Sequence, residues 1–388
     1  MTLPALALSN IPFNYASLPE KAVEYVTQSL REGRLAGNGD FTKKCEAFFE
    51  NEFGVARALL TSSGTHALEL SAMLLGVEAG DEVILPSFSF VSTANAFLLR
   101  GAKPVFIDVR PDTLNLDETQ LARLITPRTK AIVPVHYGGI PCEMDTILKI
   151  AAEHGIAVIE DNAHGLFAKY KGKYLGSFGS MAIQSFHETK NFTCGEGGAL
   201  LIHHPRYQER AEILREKGTD RSKFIMNLVD RYTWQDIGSS YLLSDLLAAV
   251  LYSQLEIHEE IQKRRRAIWE YYALHLREWA LEAGVEFPRI PASCESSYHI
   301  FYLVIPSPED QPALIEHLKR QGIASAFHFP PLHLSKMGQK FGGKKGDCPV
   351  TEDLSERIVR LPLHLGLTEK DLERIVRAVR EFPTNNVA

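Results

Sequence analysis

The chain has 388 residues, of which 45% are hydrophobic and 23% are charged, and its formal net charge is −6 at pH 7. This length exceeds what one compact core organises, so two domains are expected, and the ordinary composition excludes a disordered or low-complexity chain. The negative charge argues against nucleic-acid and anionic-membrane partners, although a local basic patch remains compatible with phosphate binding.

The cysteine content and the opening segment bear on the compartment. Five cysteines are far apart and form no C-x-x-C pair; this pattern is typical of reduced thiols. Residues 1–8 are apolar but lack the basic flank of a signal peptide, and no run of about 18 apolar residues occurs. The sequence therefore predicts a soluble, cytoplasmic protein without a membrane partner.

In chain order, the first predicted element is a helix over residues 14–31, with Ser17 as N-cap and Glu20 at the capping-box spacing. A second amphipathic segment covers 41–53. Short apolar strands then alternate with helical segments, which predicts an α/β domain with a mostly parallel sheet covered on both faces. The strands are predicted at 58–60, 82–85, 104–107, 131–135, 156–160, 182–185 and 198–202, and the helices at 65–75, 92–100, 116–124, 143–154 and 205–216.

The end of the first of these strands is a candidate anion site. Residues 61–67 read TSSGTHA, so the strand turns through small hydroxyl-bearing residues directly into a helix. Free backbone N–H groups and the positive end of the helix dipole favour a phosphate there. A well-capped helix without a ligand is an equally good interpretation of the same residues.

Two further strand ends carry chemistry. Residues 159–165 read IEDNAHG and place Asp161 at the end of a β-branched run, where a carboxylate can hold a heterocyclic nitrogen in its protonated form. Residues 185–198 read SFHETKNFTCGEGG and place Lys190 just after another strand, where desolvation makes an amine nucleophilic. The alternatives are a turn-capping aspartate and an ordinary surface lysine.

Together the three strand ends offer an amine, a carboxylate and a phosphate cup, which is the set that pyridoxal phosphate requires. A dinucleotide site is disfavoured because no G-x-G-x-x-G follows the first strand, and no P-loop or H-E-x-x-H motif occurs. The remaining histidines have no ligand-like grouping, so no metal is expected.

The rest of the chain predicts a second, smaller unit. Ser244 is the expected N-cap of a strongly apolar helix, after which the composition becomes highly charged. We place the boundary there, with a large domain over 1–255 and a small C-terminal α+β domain over 256–388. The aromatic loop 327–333 is expected to cover the cleft.

Several long motifs, in this order along the chain, resemble the DegT/DnrJ/EryC1/StrS family of sugar aminotransferases. The matches span nearly the whole chain and are SSGT at 62–65, PSFSFVSTAN at 86–95, PVHYGG at 134–139, EDNAH at 160–164 and the stretch 185–198. The resemblance implies the aspartate-aminotransferase fold, also called fold type I of the pyridoxal-phosphate-dependent transferases. Its large domain has a seven-stranded, mostly parallel sheet.

The resemblance also implies roles for single residues. Lys190 matches the lysine that forms the Schiff base and Asp161 the partner of the pyridine nitrogen. His164 would approach the ring hydroxyl, and Phe90 matches the aromatic residue that stacks on the ring. The positions that match phosphate donors are Gly64, Thr65 and Ser185.

Two positions depart from the family pattern. Ser240, the last candidate cofactor-binding residue, stands where many relatives have an asparagine that reaches the phosphate of the neighbouring subunit. Asn162 stands where alanine is more common. A homodimer with shared active sites is still implied. Lys217, Arg221 and His328 are the candidate substrate-binding residues; a solvated loop is the alternative for the first two.

Within the family, residues 185–190, 216–219, 221–222 and 232–234 look most similar to enzymes that aminate C4 of dTDP-4-keto-6-deoxyglucose, with L-glutamate as donor. Such enzymes make dTDP-4-amino-4,6-dideoxygalactose for surface polysaccharides. A 3-keto-sugar aminotransferase would share every catalytic residue. A non-catalytic cofactor-binding regulator is a further alternative, whereas Lys190 argues against the lysine-less sugar dehydratases.

Overall fold

The computed structural model describes residues 10–383. The apolar opening residues 1–8, for which the sequence predicts no signal peptide, lie outside this range. The twelve strands of the described chain are β1 Arg57–Thr61, β2 Glu82–Pro86, β3 Lys103–Ile107, β4 Thr129–Ile132, β5 Ala157–Asp161, β6 Lys169–Tyr170, β7 Lys173–Tyr174, β8 Met181–Ser185, β9 Gly198–Ile202, β10 Cys294–Glu295, β11 Phe301–Val304 and β12 Ile358–Leu361.

The helices cover both faces of the large sheet and build the C-terminal part. In chain order they are α1 Lys21–Glu32, α2 Asp40–Phe53, α3 Gly64–Leu74, α4 Val91–Leu98, α5 Leu121–Leu124, α6 Met144–His154, α7 Gln208–Arg215, α8 Arg221–Ile225, α9 Asp245–Leu255, α10 His258–His275, α11 Arg277–Ala283, α12 Asp310–Arg320, α13 Lys336–Lys340, α14 Pro349–Arg357 and α15 Glu369–Arg380. Single 3-10 turns at Glu118–Gln120 and Pro205–Tyr207 precede α5 and α7.

The main sheet has seven strands in the order β1-β9-β8-β5-β4-β2-β3. Strand β9 pairs antiparallel with both β1 and β8, and the other pairings are parallel. Every residue of β2 and β9 is buried, because helices pack on both faces and leave no polar alternation. The predicted seven-stranded, mostly parallel α/β sheet is confirmed, and the carboxyl ends of β1, β5 and β8 lie at one edge.

Two predicted helix starts have opposite outcomes. Ser244 caps α9 as expected, since its side chain accepts a hydrogen bond from Leu247 N. Ser17 does not cap α1, which begins only at Lys21. The physical reason is Pro19, because a proline disfavours helical backbone at the residue before it and so stops the helix from extending further back.

A second apolar cluster lies apart from the sheet. It is built from α10, α11, β11, α12, β12 and α15, with Ile11 from the start of the described chain. Ile261 in the first turn of α10 still packs with the sheet-side cluster, whereas Ile268 belongs to the second. The boundary between residues 255 and 256 stays a prediction.

A buried ion network joins the sheet to two of its helices. Arg215 at the end of α7 is 1% exposed and donates to Glu46 of α2 at 2.6 Å and to Glu212 at 3.1 Å. It also donates to Leu60 O of β1 at 3.2 Å. Because the partners are themselves largely buried, this network holds the strand that leads into the candidate anion site.

We therefore expect Arg215→Ala to lower the free energy of unfolding by about 3–5 kcal/mol, because it leaves the Glu46 carboxylate buried without this partner. Urea unfolding followed by circular dichroism measures the change. The control is Arg266→Ala, whose exposed pair with Glu270 is worth at most about 1 kcal/mol. Equal losses in the two variants would contradict a stabilising role of the network.

Candidate active site

A cavity of about 510 Å³ opens at the carboxyl ends of β1, β5 and β8. Its other wall comes from β12 and the residues around 326–329. This position is where open α/β sheets bind their ligands. The predicted site residues that line it are Lys190, Asp161, His164, Gly64, Thr65, Phe90, Ser185 and His328.

Lys190 lies in the loop between β8 and β9, five positions after the end of β8. Its backbone N donates to His187 O at 2.9 Å, and Glu188 N donates to Gly195 O at 2.8 Å, so the loop folds on itself. Desolvation lowers the pKa of Lys190 to about 8, Asp161 opposes this shift, and the charge of Arg360 adds to it. The amine is therefore far more available as a base than an ordinary lysine.

Asp161 ends β5 and is 5% exposed. Thr93 Oγ1 donates to its Oδ2 at 2.7 Å, and Ala163 N donates to its Oδ1 at 3.2 Å. No lysine, arginine or histidine of residues 10–383 forms an ion pair with it. A buried carboxylate without a positive partner is costly, so the site fits a cationic ring nitrogen at this point.

The anion cup is assembled from three segments. Ser63 caps α3 by accepting from His66 N at 3.1 Å. The backbone N–H groups of Gly64 and Thr65, in the same first turn, have no acceptor within the helix. Thr65 Oγ1 lies 2.8 Å from Ser92 Oγ. At Gly64 an added Cβ would lie 3.0 Å from Ser185 Cβ, so the close approach of β8 to α3 favours glycine. These groups fit a phosphate.

Phe90 stands on the cavity wall as the N-cap of α4. It is 58% exposed, and its ring lies 6.3 Å from that of Phe329. Asn162 follows the end of β5 and does not line the cavity. Its Nδ2 donates to Leu175 O at 3.1 Å, which gives this residue a structural contact away from the cavity.

Three histidine rings, those of His164, His299 and His328, line the same cavity as Lys190. The ring centroid of His164 lies 4.3 Å from that of His299 and 6.1 Å from that of His328, and His164 Nδ1 accepts from Gly138 N at 3.3 Å. His328 stacks on Phe329 at 3.5 Å and contacts Tyr137 Oη at 2.9 Å. Burial, followed by the charge of Lys190 or Arg360, lowers the pKa of each histidine well below its usual range. The three rings are therefore neutral.

Three predicted binding residues do not line this cavity. Ser240 is exposed and forms an isolated bridge with Glu216. Lys217 and Arg221 pair with Glu216 at 3.5 and 2.9 Å. Their roles at a neighbouring subunit or with substrate stay predictions.

Sequence reasoning missed three residues of the site. Thr93, which holds Asp161, lies within the helix that follows the second strand. His299 and Arg360 come from the C-terminal part of the chain and line the same cavity. Thr93 lies within the motif at 86–95, which gave it no role. No local motif marks His299 and Arg360, because packing between distant segments brings them to the site.

The sequence matches the DegT/DnrJ/EryC1/StrS aminotransferase family over residues 17–380. The chain belongs to this family. SpsC of Bacillus subtilis, described as a spore coat polysaccharide biosynthesis protein, is 32% identical over 380 residues, which cover 96% of this chain and 97% of SpsC. This relative has nearly the same length, so the likeness is not limited to one domain.

Solved structures similar to this chain are also aminotransferases. The aminotransferase TlmJ from Streptoalloteichus hindustanus superposes with a TM-score of 0.87 and 34% identity, covering 95% of this chain and 98% of TlmJ. The pyridoxal-phosphate form of Spr1654 from Streptococcus pneumoniae, a putative sugar aminotransferase, gives 0.88 and 27%, covering 96% and 98%. The protein is thus a pyridoxal-phosphate-dependent aminotransferase of fold type I, which confirms the family, fold and cofactor expected from the sequence.

The lowered pKa of Lys190 has a measurable consequence. We expect the rate at which the apoenzyme takes up pyridoxal phosphate covalently to rise with pH and level off above a midpoint of about 8, because only the neutral amine attacks. Stopped-flow absorbance measures this rate. In Asp161→Asn the midpoint should move to lower pH, since the lost carboxylate had favoured the protonated amine.

Lys190→Ala is the control and should show no covalent uptake at any pH. A midpoint near about 10.4, the ordinary value for lysine, would contradict the desolvation of this amine.

Proposed function

We propose that the protein transfers the amino group of L-glutamate to C4 of dTDP-4-keto-6-deoxy-D-glucose, which yields dTDP-4-amino-4,6-dideoxygalactose and 2-oxoglutarate. The observation that carries the proposal is the convergence of Lys190, Asp161 and the α3 cup on one cavity. The sugar class is supported by SpsC, named for polysaccharide biosynthesis, and by Spr1654, named as a putative sugar aminotransferase. A cytoplasmic location remains a prediction.

The residues divide the chemistry between them. Pyridoxal phosphate, when bound, supplies the electron sink for a carbanion. Asp161 would hold the ring nitrogen, and the N-terminus of α3 with Thr65 and Ser185 would hold the phosphate. Lys190 takes the proton from Cα of glutamate in the first half-reaction and returns a proton to C4 of the sugar in the second. A base with a pKa of about 8 suits both directions near neutral pH.

The neutral histidines fit a substrate rich in hydroxyl groups. An uncharged imidazole offers one N–H donor and one acceptor nitrogen. His328 is held by stacking on Phe329 and by Tyr137, so its free ring edge is oriented towards the cavity that it lines. We therefore propose His328 as a sugar-binding residue.

The regiochemistry is tested by a product assay. Purified enzyme with glutamate and dTDP-4-keto-6-deoxyglucose should form a product whose new C–N bond lies at C4, as located by NMR. Lys190→Ala should form none. Turnover of only a 3-keto sugar nucleotide, with the amine at C3, would replace the proposed reaction with its closest rival. Absence of turnover with every keto sugar would refute a sugar substrate.

We further propose a homodimer in which residues 217–240 approach the partner's site. The support is the exposure of apolar side chains along this segment, such as Leu228 at 67% and Trp234 at 80%. Exposed apolar clusters of this kind mark interaction surfaces. Ser240, Lys217 and Arg221 lie on or beside the same segment and would reach the second active site.

Light scattering of the purified protein should give twice the mass of one chain. Leu228→Asp should shift the population towards monomer, because it buries a charge in the proposed interface. The matched control is Leu281→Asp on α11, a leucine outside the segment that is 76% exposed, slightly more than Leu228. A monomeric wild type, or dissociation of both variants to the same extent, would contradict this interface.

A further inference from the structure

His299 is a histidine of the active-site wall that the reaction described so far does not use. It precedes β11 by two positions, is 7% exposed and lines the cavity together with Lys190. Its ring contacts Asn191, the residue that follows Lys190 in the chain. The ring is therefore tied to the backbone next to the reactive amine.

The hydrogen bonds of Asn191 fix which ring nitrogen of His299 carries a proton. Asn191 Nδ2 donates to Ser297 O at 2.8 Å, and a carbonyl only accepts, so the amide oxygen is the atom that faces the ring. This Oδ1 lies 2.7 Å from His299 Nδ1. Because an amide oxygen cannot donate, Nδ1 carries the hydrogen.

The second ring nitrogen of His299 is therefore an acceptor. Burial, followed by the charges of Lys190, Arg265 and Arg360, lowers the pKa of His299 well below its usual range, so the ring is neutral and holds one proton. With that proton on Nδ1, Nε2 presents a lone pair. Nε2 forms no hydrogen bond with any of residues 10–383.

The other two histidines of the cavity have the opposite tautomer. His164 Nδ1 accepts from Gly138 N at 3.3 Å, so the proton of this neutral ring is on Nε2. His328 Nδ1 lies 2.9 Å from Tyr137 Oη, which is buried and has no other hydrogen-bond partner among the described residues. The hydroxyl donates to Nδ1, because its proton would otherwise be buried without an acceptor. Of the three rings, only His299 offers an acceptor.

Lys190 needs such an acceptor once it has taken a proton from the amino-acid donor. Its ammonium then carries three N–H donors and no acceptor. Asp161 attracts this charge and Arg360 repels it, but the Asp161 carboxylate is expected to hold the ring nitrogen of the bound cofactor. The charge of Lys190 reaches His299, because it has the largest effect on the pKa of His299 after burial.

From this arrangement we infer that Asn191 is a positioning residue, which holds His299 in the tautomer whose Nε2 accepts a hydrogen bond from the Lys190 ammonium. The inference rests on the proposed transamination, in which Lys190 carries the proton. A neutral acceptor stabilises the ammonium, yet it adds no negative charge that would hold the proton too tightly for its return to the substrate.

The tautomer is tested directly by 15N NMR of the histidine rings in the full-length protein. Enzyme labelled with 15N-histidine should show a protonated Nδ1 and an unprotonated Nε2 for His299 from about pH 6 to 9. The resonances are assigned as those missing from His299→Gln. A protonated Nε2, or a titration of the ring within this range, overturns the inference.

Two substitutions at His299 separate the acceptor from the contact with Asn191. A glutamine amide reaches the place of Nε2 and can offer its oxygen there, whereas the shorter asparagine amide reaches the place of Nδ1 and keeps a donor towards Asn191. His299→Asn should lower the rate of the donor half-reaction on the order of 10- to 100-fold, with little change in the half-saturating glutamate concentration. His299→Gln should lose less. The reverse order of losses would mean that the ring only ties the chain together.

A second readout needs no turnover. Loss of the acceptor favours the neutral amine, so the midpoint for covalent uptake of pyridoxal phosphate by the apoenzyme should fall about one pH unit below its wild-type value of about 8 in His299→Asn. Asn191→Leu should lower it too, because Nδ1–H without an acceptor is disfavoured and the proton moves to Nε2. The other titratable groups that line the cavity are unaltered in both variants, namely Asp161, His164, His187, Glu196, His328 and Arg360.

Gln254→Leu is the matched control for Asn191→Leu. Gln254 also anchors the lysine loop with its amide, through hydrogen bonds to Thr193 N and O at 3.0 and 2.6 Å, but it does not line the cavity. Its loss should lower the melting temperature and leave the uptake midpoint in place. Equal shifts of the midpoint in the two variants would assign the effect to loop anchoring and refute the role of the tautomer.

The outcomes separate this inference from the proposed function. If the tautomer and the midpoints are as expected but no keto sugar is accepted, the sugar reaction fails and the role of His299 stands. An unchanged rate and midpoint in a folded His299→Asn overturn the role of His299 alone. If Lys190→Ala keeps the donor half-reaction, the proposed transamination through Lys190 fails, and the inference fails with it.

Discussion

The site depends on one desolvated amine, Lys190, and one buried carboxylate, Asp161, in the same cleft without a direct ion pair between them. Strands β5 and β8 are neighbours in the sheet, with Asp161 opposite Ile183, so the end of β5 and the loop after β8 meet at one edge. Desolvation lowers the pKa of Lys190 to about 8, and Asp161 limits that shift. An ion pair between the two would neutralise both groups and leave neither available for cofactor or substrate.

Hydrogen bonds between the lysine loop and the C-terminal part of the chain hold these groups in place. Asn191, next to the lysine, donates to Ser297 O at 2.8 Å and contacts His299 Nδ1 at 2.7 Å. Arg265 of α10 then holds the backbone of residues 298 and 299. Tyr298 has a φ of 54°, an unusual value for a residue with a side chain, so this junction stores backbone strain next to the site. The lysine loop is thereby tied to the C-terminal part of the chain.

The electrostatics of the cavity follow from the same burial. The imidazole rings in the cavity stay neutral, chiefly because they are buried. Lys190 and Arg360 are the lysine and the arginine that line the cavity among the described residues.

A second histidine, His333, forms hydrogen bonds behind the cavity wall. His333 is fully buried between Ser87 Oγ at 2.6 Å and Glu352 at 2.9 Å. His333 therefore anchors the aromatic loop that carries His328. Ser87, His333 and Glu352 do not form a nucleophilic triad, because Ser87 and His333 have no access to solvent.

The sequence by itself determined the sheet, the cofactor class and the groups at the strand ends. Apolar runs of strand length and the turns after them are local features, so Lys190, Asp161 and the cup around Gly64 are readable from neighbouring residues. The predicted start of α1 was wrong, because a single proline, Pro19, outweighed the capping pattern around Ser17. Only the tertiary structure placed His299 and Arg360 in the site. They come from residues more than a hundred positions after Lys190, and their proximity results from packing between two apolar clusters, which no local pattern records.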